Sequence, residues 1–316
     1  MKEGTSPWRM AQRQDALRGS AEPRLPWRRG QHKDGVLAGA GQRPPWRTAF
    51  ITGASSGIGE ALARNLAARG VHVILTARRL KLLKKIAMEI HSSGGKATAV
   101  RLDVAKADAA AKAIAALDRK FGGIDLVIAN AGVGVRTEAR PVPRTPGTSV
   151  SVGIKTNPSY SWEAIKKVAD INYTGALATL TTLLPVMVAR KSGHVVAISS
   201  LAGYTALPDA AGYSSPKAGL SRFMECLSLD LQNTGVSVST VHVGFVKTPM
   251  VAQSTIPLPF LLSAEAAADY IVCRLIRKKR EINFPKLMVV LVTLLAWLPF
   301  WVKQLIARRY WKSVSP

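Results

Sequence analysis

Tyr213 and Lys217 are the residues whose types and spacing point most directly to chemistry. In a helix, residues four apart lie on one face, so the phenol and the ammonium would point to the same side. A nearby ammonium stabilises a phenolate, so we expect the pKa of Tyr213 to fall from about 10 towards neutrality. Such a tyrosine can protonate an alkoxide or deprotonate an alcohol. Because Tyr-x-x-x-Lys is common by chance, its surroundings decide the assignment.

Two more polar residues could complete a site with this pair. His194–Ser200 is predicted as a buried strand that ends in two hydroxyls, Ser199 and Ser200. Ligands of open α/β sheets bind at the carboxyl ends of strands, so Ser200 would meet a substrate carbonyl, with Ser199 as its structural companion. Asn172 is a polar residue in the otherwise apolar helical stretch Trp162–Ala189. An asparagine that merely bends the helix explains it equally well.

A glycine-rich segment follows the first predicted strand and opens the first predicted helix. Gly53 permits a tight turn, Gly57 lets the backbone approach a pyrophosphate, and Gly59 lets the helix pack closely on the strand. The helix N-terminus then offers N–H groups and partial positive charge to phosphates. The segment therefore predicts a dinucleotide-binding loop, made of Thr52, Gly53, Ser55, Ser56, Gly57, Ile58 and Gly59.

The choice of nucleotide should be made at the end of the second strand. An acid there would bind the ribose 2′-hydroxyl of NAD. This sequence instead has Ala77 followed by Arg78 and Arg79. Arginine matches a phosphate bidentately, so the pair favours NADP(H). The alternative is that both arginines simply begin a solvated helix.

These residues need a sheet that brings strand ends together, and the hydrophobic pattern predicts one. Short Val/Ile/Leu runs without alternation indicate strands buried on both faces, and they alternate with amphipathic helical stretches. This is the pattern of a doubly wound, mostly parallel α/β fold of the Rossmann-like kind. The predicted strands are Ala49–Thr52, Val71–Thr76, Ala97–Leu102, Ile124–Ala129, His194–Ser199, Val236–Val241 and Glu281–Phe284.

One catalytic domain, residues 47–285, is predicted between two unlike ends. Residues 1–46 are rich in Arg, Gly, Pro and Trp and read as a disordered or non-native basic extension. An organelle-targeting peptide is the alternative, against which its acidic residues count. An irregular insertion at 136–160 interrupts the domain, and such long loops are usually functional or disordered.

Charge and cysteine content exclude several classes of protein. The formal net charge is +25, but residues 1–50 carry +6 of it and residues 274–316 carry +9. A nucleic-acid-binding face would show a basic stripe with interleaved aromatic residues, so no nucleic-acid partner is predicted. Cys226 and Cys273 do not have the spacing of a disulfide framework or of a cysteine-based metal site, so neither is expected. A reducing compartment, the cytoplasm, is therefore expected.

The tail, residues 286–316, is not needed to complete the sheet. Leu287–Val302 is mostly apolar, with Trp297 and Trp301 near the following cations. The run is shorter than the roughly 20 residues of a membrane-spanning helix. Interfacial tryptophans and flanking cations favour a peripheral membrane contact through 286–312. Alternatives are a cover over the substrate pocket, a dimer interface or a true span. An apolar substrate such as a lipid, sterol or long-chain ketone would suit this tail.

With these motifs in order, residues from about Arg47 to Phe284 resemble the short-chain dehydrogenase/reductase family, in its compact NAD(P)-binding branch. The resemblance implies a catalytic tetrad of Asn172, Ser200, Tyr213 and Lys217, the last two also touching the cofactor. It implies further cofactor contacts in addition to the glycine loop. These are Asp103 near the adenine, the Asn130-Ala131-Gly132 motif, and Gly244, Val246 and Thr248 of the nicotinamide-side loop.

The resemblance also implies a mechanism. Ser200 would bind the substrate oxygen, Tyr213 would transfer its proton, Lys217 would tune Tyr213 and hold the nicotinamide ribose, and Asn172 would fix a relaying water. The expected reaction interconverts a carbonyl and a secondary alcohol of a hydrophobic substrate in a homo-oligomer. Two departures are Val243-Gly244 in place of the usual Pro-Gly, and the long 136–160 stretch. Alternatives are a 3-oxoacyl-carrier-protein reductase and a catalytically silent NADP-binding membrane scaffold.

Overall fold

The computed structural model describes residues 43–134, 161–252, 258 and 260–314, and of residues 310–314 the backbone alone. Most of the predicted N-terminal extension and all of the 136–160 insertion lie outside these residues. Trp46, predicted to belong to the extension, is buried, and its ring centroid lies 5.5 Å from that of His194. The packed domain therefore begins slightly before the predicted Arg47.

A seven-stranded sheet forms the centre of the described residues, in the order β3-β2-β1-β4-β5-β6-β7. Each neighbouring pair is parallel, so the sheet is parallel throughout where the sequence predicted a mostly parallel one. The chain order reverses between β1 and β4, which creates the crevice where ligands of such folds bind. The strands are β1 Thr48–Thr52, β2 His72–Ala77, β3 Lys96–Arg101, β4 Leu126–Ala129, β5 Gly193–Ser200, β6 Val236–Val243 and β7 Glu281–Phe284.

Helices cover both faces of this sheet, which explains the unbroken apolar runs of its central strands. Phe50 and Val127 are fully buried in one core cluster against the sheet, and the residues that follow them, Ile51 and Ile128, are also fully buried. The fold is the predicted doubly wound, Rossmann-like one. Its helices are α1 Gly57–Ala68, α2 Leu80–Ser92, α3 Ala107–Lys120, α4 Trp162–Ala169, α5 Gly175–Thr181, α6 Leu184–Ala189, α7 Ala211–Asp230, α8 Ala264–Ile276, α9 Lys286–Trp297 and α10 Phe300–Val314.

The predicted helical stretch Trp162–Ala189 is not one regular helix. A π-helical turn, Asp170–Thr174, joins α4 to α5, and Pro185 lies in the first turn of α6. The stretch is long and apolar enough to cross a membrane by composition, but Ile171, Leu180 and Met187 are buried in the core against the sheet. Its apolar character therefore reflects packing within the domain.

The tail forms two helices, α9 and α10, around the Leu298-Pro299 break. Proline cannot donate a backbone hydrogen bond, which accounts for the interruption of the predicted apolar run Leu287–Val302. The twelve residues of α9 give a helix of about 18 Å at 1.5 Å per residue, well short of the bilayer core.

Candidate active site

The glycine loop connects the end of β1 to the start of α1 and has the backbone shape that its sequence predicts. Gly53 and Gly57 have φ values of +68° and +60°, a region that side chains disfavour. A Cβ on Gly59 would overlap with the Gly53 carbonyl oxygen and the Asn130 amide. Helix α1 thus begins directly against the turn, and Ser56 at its N-cap makes no side-chain capping hydrogen bond. The first N–H groups of α1 are available to an anion.

Thr52 and Asn130 fasten the glycine loop to the neighbouring strand end. Asn130 Nδ2 donates to the Thr52 carbonyl oxygen at 2.9 Å and to that of Gly53 at 3.3 Å. Thr52 Oγ1 accepts hydrogen bonds from the backbone N–H groups of Asn130 and Ala131, both at 3.0 Å. Both side chains, predicted to bind cofactor, are engaged in shaping the loop. We interpret them as positioning residues.

The two predicted nucleotide-selecting arginines differ in their contacts. The Arg79 guanidinium donates to Ser55 Oγ at 2.8 and 3.2 Å and to Ser56 Oγ at 2.8 Å. It therefore lies over the hydroxyls of the glycine loop, although Arg79, like Arg78, is exposed to solvent. Asp103 lies just after the carboxyl end of β3, and therefore at the same edge of the parallel sheet as the glycine loop. Its Oδ1 accepts a hydrogen bond from the Ala105 N–H at 3.1 Å.

Ser200 ends β5, and the Tyr213 hydroxyl of α7 lies within hydrogen-bonding reach of it. The Ser200 hydroxyl also lies 3.4 Å from the Val243 carbonyl oxygen and accepts from the Ala202 N–H at 3.1 Å. Burial raises the pKa of Tyr213, and a hydrogen bond with Ser200 only partly offsets that rise. The predicted fall of this pKa is wrong, because desolvation of the phenolate outweighs the contacts that would stabilise it.

Lys217 lies on the predicted helix with Tyr213, in α7, and its side chain points into the core. Only 4% of the residue is exposed, and Nζ donates to the Ile198 carbonyl oxygen at 2.7 Å. Burial lowers the pKa of Lys217 to about 8, because the charged ammonium loses its water. The ammonium is still mostly protonated at pH 7, so it brings positive charge to the strand end that carries Ser200.

Asn172 lies in the π-helical turn and is fully buried. Its Oδ1 accepts from the Val133 N–H and its Nδ2 donates to the Val133 carbonyl oxygen, both at 2.9 Å. A Cβ on Gly132 would lie 3.5 Å from Asn172 Oδ1 and 3.8 Å from Lys217 Nζ, so both side-chain ends face Gly132. The structure thus brings Ser200 close to Tyr213, and it brings Asn172 and Lys217 close to Gly132.

The loop after β6 links the two halves of this site. A Cβ on Gly57 would lie 3.0 Å from the Thr248 methyl group, so Thr248 covers the glycine loop. Val246 is buried and forms an isolated parallel bridge with Leu262. Gly244 packs against Met288 of α9 and near Leu201, which directly follows Ser200.

Ser199, Ser221 and His242 support the site from behind Lys217, and of these three the sequence suggested only Ser199, in a minor role. Ser199 Oγ and Ser221 Oγ donate to the Lys217 carbonyl oxygen at 3.1 and 2.9 Å and lie 2.8 Å apart. His242 Nε2 lies 3.0 Å from Ser221 Oγ, and its Nδ1 lies 2.8 Å from Asn283 Oδ1. A histidine inside an apolar strand carries no sequence signal that separates it from an ordinary core residue.

Known proteins resemble this chain in sequence and structure. The family model described as short chain dehydrogenase matches residues 47–257. An uncharacterized oxidoreductase of Myxococcus xanthus is 44% identical over 238 residues, covering 75% of this chain and 87% of that protein. The fatty acyl-CoA reductase of Acinetobacter baylyi is 30% identical over 237 residues, covering 74% of each. An alcohol dehydrogenase of Thermococcus sibiricus, complexed with 5-hydroxy-NADP, is 26% identical with a TM-score of 0.63, covering 75% of this chain and 94% of that one.

Proposed function

The chain belongs to the short-chain dehydrogenase family, and from that premise we propose that it is an NADP(H)-dependent oxidoreductase that interconverts a carbonyl and a secondary alcohol. The proposal is supported by Ser200 lying close to Tyr213 at the end of β5, and by Lys217 and Asn172 both facing Gly132. Elsewhere on the fold a fully buried asparagine and lysine would be costly, which indicates that the site requires them.

The glycine loop fits the pyrophosphate of a dinucleotide. Its left-handed glycines bring the backbone to the surface, and the uncapped N–H groups of α1 lie next to it. Arg79, held over Ser55 and Ser56, supports recognition of a 2′-phosphate and so of NADP(H). When bound, this cofactor supplies or accepts the hydride.

The remaining chemistry is proton transfer and orientation by the chain. We assign Ser200 to bind the substrate oxygen and Tyr213 to exchange a proton with it. Lys217 provides positive charge beside them, and Asn172 holds the Val133 backbone in place, with hydrogen-bonding capacity left for a relaying water. Because burial raises the Tyr213 pKa, the phenol carries its proton at neutral pH. This supports reduction, in which Tyr213 donates to the developing alkoxide.

The substrate is proposed to be apolar, and the tail residues 286–312 to make a peripheral membrane contact. The name of the Acinetobacter relative, a fatty acyl-CoA reductase, supports a long apolar substrate, as do the exposed apolar side chains of α9. We place the protein in the cytoplasm at such a membrane surface, as a homo-oligomer like many members of its family.

Substitution of Tyr213 tests this function. Tyr213→Phe removes the hydroxyl and is expected to lower kcat with NADPH and a ketone by roughly 10²- to 10⁴-fold, the usual contribution of a general acid. NADPH affinity, measured by fluorescence titration, should change little. Tyr204→Phe is the matched control, because that phenol is also half-buried and its pKa is raised to about 12, yet its hydroxyl faces His242.

Three results would each refute a part of the proposal. Wild-type kcat in Tyr213→Phe would remove the phenol from the reaction. Failure of the wild-type protein to oxidise NADPH across ketones and aldehydes of increasing chain length would instead favour the silent scaffold. Turnover with NADH at least as efficient as with NADPH would overturn the assigned cofactor.

A further inference from the structure

The outer side of α9 carries an apolar stripe, made of Leu287, Val290, Leu291, Leu294 and Trp297. All five side chains are exposed, Trp297 to 85% and Leu294 to 61%. Their spacing of three and four residues places them along one side of the helix. Four more large apolar residues are exposed on α10, namely Phe300, Trp301, Leu305 and Ile306. A contiguous apolar surface of this kind marks an interaction site.

The charge around the stripe identifies the kind of partner. Residues 286–316 contain five Lys or Arg residues and no Asp or Glu. Lys286, Arg308 and Arg309 are exposed on the two helices. Apolar side chains with tryptophans and flanking cations fit the interface of an anionic bilayer. Tail-to-tail docking of a second copy would bring two such cationic segments together, in chains whose formal net charge is already +25.

The inner side of the same helix contacts the active-site rim. In the register of the sheet, Ser200 is paired with Val243, and Val243 with Phe284. The last residue of β7 therefore lies two strand spacings, about 10 Å, from Ser200 at the same edge of the sheet. Helix α9 starts two residues later, and Met288 on its inner side packs on Gly244.

Apolar side chains also extend towards the opposite side of the site. Met250 and Leu261, in the segment after β6, are both exposed. The Met250 side chain lies 3.7 Å from where a Cβ on Gly134 would be, just beyond the Asn130-Ala131-Gly132 motif. An apolar molecule leaving a bilayer at α9 would thus meet apolar side chains at the rim of the site.

We propose that the apolar stripe of α9 docks on an anionic lipid bilayer and that the enzyme takes its apolar carbonyl substrate directly from that bilayer. The proposal deepens the proposed function and depends on it for the chemistry. It assigns two roles to one helix, lipid contact on its outer side and support of the nicotinamide-side loop through Met288 on its inner side.

The test compares the full-length protein with a double variant of the stripe, Leu291→Glu with Leu294→Glu. Binding is measured by co-flotation with phosphatidylcholine vesicles with and without phosphatidylserine. Activity is measured with NADPH and either a long-chain ketone dissolved in those vesicles or a short water-soluble ketone. The matched control is Met88→Glu with Leu229→Glu, because these side chains are 61% and 57% exposed, lie on α2 and α7, and change the net charge equally.

The wild type should float with the phosphatidylserine vesicles, and the stripe variant should bind them at least about tenfold more weakly. Its kcat/KM should fall by a similar factor for the vesicle-borne ketone and stay within about twofold for the soluble one. The control variant should match the wild type in both assays.

Three outcomes would overturn the proposal. The first is a wild-type protein that does not bind the vesicles, and the second is an equal loss with both ketones. The third is a change of sedimentation coefficient in the stripe variant without lipid, which would assign the stripe to a second copy of the chain. Vesicle binding without turnover of either ketone would refute the proposed function and substrate uptake, while the lipid contact would stand.

Discussion

The paired hydrogen bonds between Asn172 and Val133 should contribute to the free energy of unfolding. Asn172→Ala removes an acceptor from the Val133 N–H and a donor from the Val133 carbonyl, both at 2.9 Å. Each lost hydrogen bond costs about 1 kcal/mol, and more where the orphaned group stays buried. Because Asn172 is fully buried while Val133 is half-buried, we expect a total loss of roughly 2–3 kcal/mol.

The assay is urea denaturation followed by circular dichroism, with thermal unfolding as a second measurement. A loss of 1 kcal/mol shifts Tm by about 2–4 °C in domains of this size, so a decrease of roughly 4–12 °C is expected. Activity should fall too, because Val133 continues the Asn130-Ala131-Gly132 segment that faces Lys217. Thr181→Ala is the control, since this residue is exposed and its hydroxyl donates within the helical stretch, to the Leu177 carbonyl oxygen.

An unfolding free energy within about 0.5 kcal/mol of the wild type would refute the reasoning. Asn172 would then contribute nothing through Val133, and any loss of activity would need another explanation. If Thr181→Ala were equally destabilising, the helical stretch would be generally sensitive to substitution, and the effect could not be assigned to the two bonds.

Substitutions in the cofactor loop and at Lys217 test the assigned contacts separately. Arg79→Ala should raise KM for NADPH by roughly 10- to 100-fold, as expected for loss of a charge-assisted contact, and should change KM for NADH much less. Arg78→Ala should change KM for NADPH much less than Arg79→Ala does. Equal effects of both arginines would contradict the distinction. Gly59→Ala should lose about 1–3 kcal/mol of stability and bind NADPH weakly, because the added Cβ would overlap with the Gly53 carbonyl oxygen. A Tm and an NADPH affinity equal to those of the wild type would exclude that overlap. Lys217→Met tests the lowered pKa. The unfolded chain keeps its proton up to about 10.5 and the folded chain only to about 8, so Lys217 adds stability as pH rises between these values. Relative to Lys217→Met, the wild type should gain about 3 kcal/mol from pH 7.5 to 10.5, and a flat difference would show an ordinary pKa.

The sequence predicted the fold because the fold depends on local patterns. Apolar runs such as Phe50–Ile51 and Val127–Ile128 lack alternation, which requires helices on both faces of the sheet and parallel strands. Parallel strands then bring their carboxyl ends to one edge, so Ser200 and the glycine loop lie at the same edge of the sheet. The spacing of Tyr213 and Lys217 placed them on one face of α7.

What the sequence could not predict depends on distances between remote segments. The predicted direction of the shift in the Tyr213 pKa was wrong. Burial is a property of the packed site, and it raises this pKa more than the expected effect of Lys217 lowers it. The brace of Ser221 and His242 behind Lys217 joins residues far apart in the chain. The contact of Met288 with Gly244 likewise depends on how the tail leaves β7.

The hydrogen bonds around Ser200 are compatible with its proposed role of binding the substrate oxygen. A serine hydroxyl has one proton to donate, and its 3.4 Å separation from the Val243 carbonyl oxygen is well beyond the usual 2.7–2.8 Å, so this bond is weak. The Ala202 N–H donates to the same oxygen and holds it in position. A substrate oxygen can therefore attract the Ser200 proton at little cost, because the acceptor that it replaces contributes little. In the proposed function, the neutral Tyr213 phenol would offer a second proton to the same oxygen, as the proposed carbonyl reduction requires.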